Sequence, residues 1–105
     1  MLVLEGYKVK ISRGDSYSIS ISIDGYAPEG SSAVAAVAKV AGGTPLWQIS
    51  VPVTDNLAVF NLTAEETGIS AGKYVWDVRI VLPDGAVKTV FTPAMFQVVE
   101  VVANA

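Results

Sequence analysis

The sequence predicts an all-β chain: an antiparallel immunoglobulin-like β-sandwich of seven to eight strands with one short helical turn, in a single domain over residues 1–105. Three observations carry this. Apolar and polar residues alternate at every second position in segment after segment, the period of a strand with one buried face. Gly, Pro, Asn and Asp clusters punctuate the chain at intervals of about 8–12 residues, the rhythm of short antiparallel strands. No stretch keeps a 3.6-residue period long enough for an amphipathic helix. A chain of 105 residues holds one such core and not two.

Taken in order, Tyr7, Val9 and Ile11 alternate with Lys8, Lys10 and Ser12, a half-buried strand. Arg13-Gly14-Asp15 interrupts it, with Gly14 suited to a bulge or tight turn. Tyr17, Ile19, Ile21 and Ile23 then alternate with Ser16, Ser18, Ser20, Ser22 and Asp24, giving a β-branched inner face and a serine outer face. Gly25 to Ser32 is a loop by its Gly, Pro and Ser content. Ala33–Val40 fits two periods: Val34, Val37 and Val40 recur every three residues, while Val34, Ala36, Ala38 and Val40 alternate. The strand reading is preferred, because Gly42-Gly43-Thr44-Pro45 reads as a hairpin connection to a clear strand.

That next strand carries Trp47, Ile49, Val51 and Val53 on one face, and Pro52 marks it as an edge or a strand end. Asp55-Asn56 turns the chain into Leu57–Leu62. Thr63-Ala64-Glu65-Glu66 matches a capping box, so one helical turn is expected, ended by Gly68. Within Lys73–Leu82, Tyr74, Trp76, Val78, Ile80 and Leu82 share the buried face. A two-residue Asp84-Gly85 turn would set Leu82 against Val87, Ile80 against Thr89 and Val78 against Phe91. Pro83 also permits a longer type I turn with a bulge, which shifts that register by one. Thr92-Pro93 should break or bulge the return strand. Ala94–Val102 then forms a last strand, with Phe96 and Val98 inward, Val102 a further inward candidate and Glu100 marking the exposed phase.

The composition excludes several chemistries. Cysteine and histidine are both absent, which removes disulfides, thiol nucleophiles, Cys/His zinc sites and the commonest general acid–base side chain. Glu65, Glu66 and Asp77 are the only acids grouped near a turn; capping accounts for Glu66 and a solvent-facing strand position for Asp77. No catalytic, cofactor-binding or metal-ligating residue is therefore assigned. The seven basic residues are scattered singly in a chain of net charge −3, so no nucleic-acid footprint exists. The N-terminal Met1-Leu2-Val3-Leu4-Glu5 lacks the pattern of a signal peptide, and the longest apolar run, Ala33–Ala38, falls short of a membrane span. The expectation is a protein outside the membrane and made without an export signal. Under it, Asn61-Leu62-Thr63 is a strand end rather than a glycosylation site.

Two binding readings come from the residues alone. Trp47 and Tyr26, beside turns, are candidates for a carbohydrate-stacking platform if their rings are exposed; Tyr74 and Trp76 are core. Arg13-Gly14-Asp15 spells the integrin-adhesion tripeptide, against the simpler reading of a turn.

Several motifs occur in an order that resembles small β-sandwich domains of tailed-phage baseplate, tail-fibre and neck proteins, including the N-terminal domains of upper baseplate proteins. Arg13-Gly14-Asp15-Ser16 is similar to their basic-Gly-Asp-Ser/Thr turn. Leu62-Thr63-Ala64-Glu65-Glu66-Thr67 is similar to their Leu-Thr-x-Glu-Glu/Asp-Thr turn. Gly72–Ile80, the Asp84-Gly85 turn and Phe96-Gln97-Val98 resemble the strand, turn and closing motif that follow. The likeness spans about Tyr7 to Val102, and departs from the family where Gly30-Ser31-Ser32-Ala33 stands in place of Asp-Leu-Thr-Gly. The resemblance implies a non-catalytic structural or assembly module without cofactors. It also implies other tail proteins or further copies of itself as partners, and a virion assembled in the bacterial cytoplasm.

Composition adds a physical expectation. Hydrophobic residues make up 51% and charged residues 16%, against about 25% charged in typical soluble domains, so part of the surface should be covered by a partner. The interface candidates are the serine face with Ser18 and Ser20, the Pro52-bearing edge strand, and above all Val99 and Val101. Val98–Val102 supplies valines in both phases, and only one phase can reach the domain's own core.

Overall fold

Eight strands and one helical turn build two sheets in the computed structural model, which describes residues 3–23 and 27–102. The strands are β1 (Val3–Glu5), β2 (Lys8–Ser12), β3 (Tyr17–Ser22), β4 (Ser32–Ala38), β5 (Trp47–Pro52), β6 (Leu57–Leu62), β7 (Gly72–Val81) and β8 (Val87–Val99), with α1 (Ala64–Thr67) between β6 and β7. The larger sheet has the order β1-β2-β8-β7-β4-β5, and the smaller contains β3 and β6. This is the all-β, two-sheet sandwich that the alternation predicts. One pairing departs from an all-antiparallel scheme: β2 runs parallel to β8, with Val9 beside Phe96 and Ile11 beside Val98.

The period-two pattern translates directly into burial. Ile19 and Ile21 of β3 pair with Phe60 and Ala58 of β6, and Ile23 and Leu62 extend the same inner face of the small sheet, all buried. Tyr74, Trp76, Val78 and Ile80 of β7 are buried opposite them, with Phe91, Phe96 and Val98 of β8 alongside. Trp76 is 2% exposed and lies edge-on to both Phe91 and Phe96, at centroid distances of 5.1 and 5.9 Å. Its indole N–H donates to the Tyr7 carbonyl at 2.7 Å, so the ring is satisfied as well as packed.

Three expectations need correction. Tyr7 is not in the strand: Gly6, with φ of 62°, and Tyr7 form the turn between β1 and β2, and the Tyr7 ring is 38% exposed while stacking on Phe91 at 4.1 Å. β1 itself, three residues long, carried no readable alternation. In β4 the strand forms as expected, but Ala33, Ala35 and Val37 point inward, whereas Val34, Ala36 and Ala38 are half-buried on the outer face. The return strand and the last strand are one element, β8, which ends at Val99; Glu100 follows, and Val102 is fully exposed rather than inward.

The β7–β8 hairpin shows how turn chemistry sets register. Gly85 has φ of 90°, its N–H donates to the Leu82 carbonyl at 2.9 Å, and the Leu82 N–H donates to Ala86 at 2.8 Å. Pro83 thus takes the longer turn with a bulged glycine. Ile80 consequently faces Lys88, one residue from the two-residue-loop register, and an irregularity beside Val78 restores the Val78–Phe91 pairing. A second irregularity, between Trp76 and Val78, absorbs Thr92-Pro93. Proline is tolerated there because it falls in a bulge, ahead of Phe96 where β2 joins the other side of β8. The Asp55-Asn56 turn is equally specific: both residues have positive φ, 52° and 58°, and Thr54 and Leu57 exchange backbone bonds of 3.0 and 2.9 Å across it.

Removing the Trp76 ring should cost about 3–5 kcal/mol, because the neighbouring aromatics cannot collapse into the space and the Tyr7 turn loses its donor. Denaturant unfolding of Trp76→Ala measures this; a loss below about 1 kcal/mol would contradict the packing described.

Candidate functional site

The Arg-Gly-Asp turn is a structural clamp. Here the chain leaves the large sheet at β2 and enters the small sheet at β3, and the crossing is tied to two other segments. The Arg13 N–H donates to Val99 O at 2.8 Å, and its guanidinium donates to Gly68 O at 3.2 Å and to Glu100 Oε2 at 3.0 Å. The Gly14 N–H reaches Thr67 O at 3.3 Å, and the buried Thr67 hydroxyl donates to Asp15 O at 2.6 Å. Gly14 has φ of 82°, a conformation that side chains rarely adopt. The tripeptide is thereby engaged by α1 and the end of β8, not presented on a free loop.

The helical turn that supplies Thr67 is capped as expected. Thr63 is the N-cap; its N–H donates to Glu66 Oε1 at 3.2 Å and its hydroxyl to Glu66 Oε2 at 2.6 Å. The Thr63 hydroxyl is the main reason the Glu66 carboxyl sits below the ordinary glutamate range. Burial opposes it, and the Thr63 and Glu66 backbone N–H groups add to the lowering.

The interface candidates fall in separate places. Ser18, Ser20 and Ser22 are exposed on the outer face of the small sheet, beside Asn61, Val59 and Leu57 of β6 respectively. The face is flat and uncharged; Ser18 Oγ bonds Asn61 Oδ1 at 2.6 Å, and Val59 and Leu57 are each 39% exposed. Pro52 ends β5, the outermost strand of the large sheet. The Val53 N–H donates to Ser31 O, so in this ladder the odd-numbered β5 residues bond β4. Pro52 therefore occupies a position whose missing N–H would point away from the sheet. Val99 is half-buried on the outer face of β8, and Val101 lies beyond the strand, 36% exposed. The structure does not bring these two valines onto one strand face.

Sequence reasoning missed the apolar residues on the outer face of the large sheet. There Ala38 of β4 stands beside Val75 of β7, which itself faces Met95 of β8, while Val34 and Ala36 stand beside Arg79 and Asp77; the five apolar residues are half-buried. Val34, Ala36, Ala38 and Val75 border a shallow hollow of about 270 Å³ that Asp77 and Arg79 also line. The signal was present in β4, where residues of both phases are apolar.

The proposed sugar platform does not assemble around Trp47. Its ring packs edge-on against Phe96 at 5.9 Å, three strands away across the sheet, and so belongs to the core margin. Tyr26 lies outside the described residues. Among the described residues, no group of His, Cys, Asp or Glu is placed to hold a metal ion, and no helix is long and apolar enough to cross a membrane. A second depression, of about 610 Å³, gathers Arg13, Lys39 and Lys73 around Leu46, Ile69 and Tyr74, with Arg13 already bound to Glu100. Comparison with protein-family models, with characterised proteins and with solved structures finds no significant match to this chain.

Two outcomes test this local chemistry. Thr67→Val keeps the shape and deletes the hydroxyl, and should cost about 1–2 kcal/mol in denaturant unfolding by removing its bond to the Asp15 carbonyl. Thr63→Ala should cost about 1 kcal/mol as a lost cap. Because the folded Glu66 carboxyl is the more acidic one, its stabilisation is whole above the ordinary glutamate range and is lost as pH falls through the lowered value. Glu66→Gln should accordingly flatten the stability profile below about pH 4.5 and leave the slope near neutrality unchanged.

Proposed function

We propose that this chain is a non-catalytic structural module that works by being packed against other proteins, of the kind used in tailed-phage tails and baseplates. The observation that carries the reading is the outer face of the six-stranded sheet. The solvated face of an antiparallel sheet normally presents polar side chains. Here its centre is Val34, Ala36, Ala38, Val75 and Met95, and the charged residues Lys73, Asp77 and Arg79 lie along β7 beside them. The low charge of the whole chain points the same way, as does the order of turn and strand motifs that resembles baseplate domains. Sugar binding and adhesion have less support, since Trp47 is occupied by Phe96 and the Arg-Gly-Asp turn by α1 and β8.

Ala36→Lys tests the reading. Ala36 pairs with Asp77, so a lysine there gains an opposite charge across the ladder and should change stability by less than about 1 kcal/mol. It should nonetheless abolish capture of neighbouring tail proteins co-expressed with the chain, and a Val99→Asp, Val101→Asp pair provides the parallel test at the margin of that face. A wild-type chain that captures none of those proteins, and whose mass stays that of one copy at high concentration, would remove the support for an assembly role.

A further inference from the structure

The outer face of the large sheet collects charge of one sign. Lys10 of β2 pairs with Gln97 of β8, and Gln97 pairs in turn with Lys73 of β7. Residues paired across a ladder share a face. The two lysines therefore flank Gln97 on the outer face, about 10 Å apart at the backbone. Lys8 precedes Lys10 on the same face, Arg79 follows further along β7, and all four cations are exposed. A chain with seven cations and a net charge of −3 thus sets four of them on one sheet face. They are scattered singly in the sequence, and strand pairing gathers them.

Two of the four have an acid next to them. Glu5 of β1 is the residue paired with Lys8, and Asp77 shares the outer face of β7 with Arg79. Lys10 and Lys73 have none: Lys10 is paired with Val3 and Gln97, and Lys73 with Gln97. Lys73 also borders the depression that holds Lys39, where Glu100 is already bound to Arg13 at 3.0 Å. The uncompensated charge of the face is the Lys10–Gln97–Lys73 row.

The next row across the strands is apolar. Val75 faces Met95 on one side and Ala38 on the other, so these three residues run parallel to the basic row. Same-face neighbours along a strand are about 7 Å apart, which is the separation of the two rows. No other described sheet face repeats the arrangement. The outer face of the small sheet is Ser18, Ser20, Ser22, Asn61, Val59 and Leu57, without charge. At the far end of β7, Arg79 stands with Asp77, so the signs are mixed there.

We infer that the two rows are the docking site for an acidic, amphipathic segment of another protein. Its carboxylates lie over Lys10 and Lys73, and its apolar side chains lie on Met95, Val75 and Ala38. Charge complementarity sets the sign of the partner, and the apolar row sets its class. A nucleic acid or an anionic lipid surface would meet the lysines but press phosphates onto Val75 and toward Asp77, the next outer residue of β7. A second copy does not fit, because of its described sheet faces one is basic like this one and the other uncharged. The inference rests on the reading of this face as an assembly surface, and adds to it the chemistry of the partner.

The test uses the whole chain, isotope-labelled, and two blocked helical peptides of about 14 residues, long enough to cross four strands. One carries a glutamate stripe beside a leucine stripe, and the other has lysine in place of glutamate. The glutamate peptide should shift the amide resonances of Lys10, Lys73, Val75, Met95 and Gln97, and bind about tenfold more tightly than the lysine peptide. Lys10→Glu with Lys73→Glu should reverse that preference while leaving the denaturant midpoint in place, since both side chains are exposed. Arg79→Glu, which keeps both lysines, should change the affinity by less than about threefold. The reversed chain should also lose whatever co-expressed tail proteins the wild type captures. If it keeps them while Ala36→Lys loses them, the outer face is a contact surface and this inference alone is overturned. Equal affinity for the two peptides, or shifts confined to other residues, would overturn it as well. So would displacement of the glutamate peptide by double-stranded DNA or by phosphatidylserine vesicles, which would make a polyanion the occupant.

Discussion

Two strands have to cover the inner face of six. Strands in both layers are spaced about 4.8 Å apart, so the small sheet cannot reach the margins of the large one. The remaining cover comes from side chains. Tyr7 folds over Phe91 on one flank, and Trp47 reaches inward to Phe96 from the other. β4 makes this reach feasible by presenting Ala33, Ala35 and Val37 to the core, small residues over which larger neighbours close. The solution is incomplete at the β5 margin. Trp47, Ile49 and Val51 stay half-buried, and the Trp47 indole N–H is enclosed without a partner.

The same imbalance explains why the Arg-Gly-Asp turn is so heavily bonded. A short connection must lift the chain from one layer to the other, and a crossing made of exposed backbone would fray. α1 solves the problem locally: its capped single turn fixes Thr67, whose hydroxyl and carbonyl hold Asp15 and Gly14. Arg13 then ties that turn to Val99 and Glu100, where β8 ends. Three segments distant in sequence are closed at one end of the sandwich without a disulfide, which a chain lacking cysteine cannot use. The capping box and the tripeptide, separate features in the sequence, are two halves of one device.

Much of the fold was legible, and the failures have physical causes. β3 and β7 alternate most cleanly because one face is core and the other is serine or carries charge, so phase and strand are read together. β4 is apolar in both phases, and alternation alone could not say whether Val34 or Ala33 faces in. The register of the β7–β8 hairpin turned on Pro83, which the composition of the turn allows in either geometry. β1 was too short to show a period. Pro93 looked like a strand break because proline cannot serve two neighbours, yet at that point β8 has only β7 beside it and a bulge to absorb the residue. Of the interface candidates, the serines and Pro52 lie where expected, on a flat outer face and on an edge. Val99 and Val101 were grouped by a strand that in fact stops between them.

Edges and outer faces are properties of the assembled sheets, and this is why the sequence located contact-prone residues better than contact-prone surfaces. The alternation of β3 fixes which side chains are buried but not which backbone groups are paired; that depends on whether a neighbour arrives. On the outer face of β4 and β7, likewise, only the paired strands set Ala38 beside Val75 and Val75 beside Met95, with Asp77 and Arg79 beside Ala36 and Val34. Most soluble domains set lysine and glutamate along such a face. Here charge enters it from β7, with Asp77 beside Ala36 and Arg79 beside Val34, while β4 brings Val34, Ala36 and Ala38 to the same side. The face is therefore apolar along one strand and charged along its neighbour, a pattern that exists only once the two are paired.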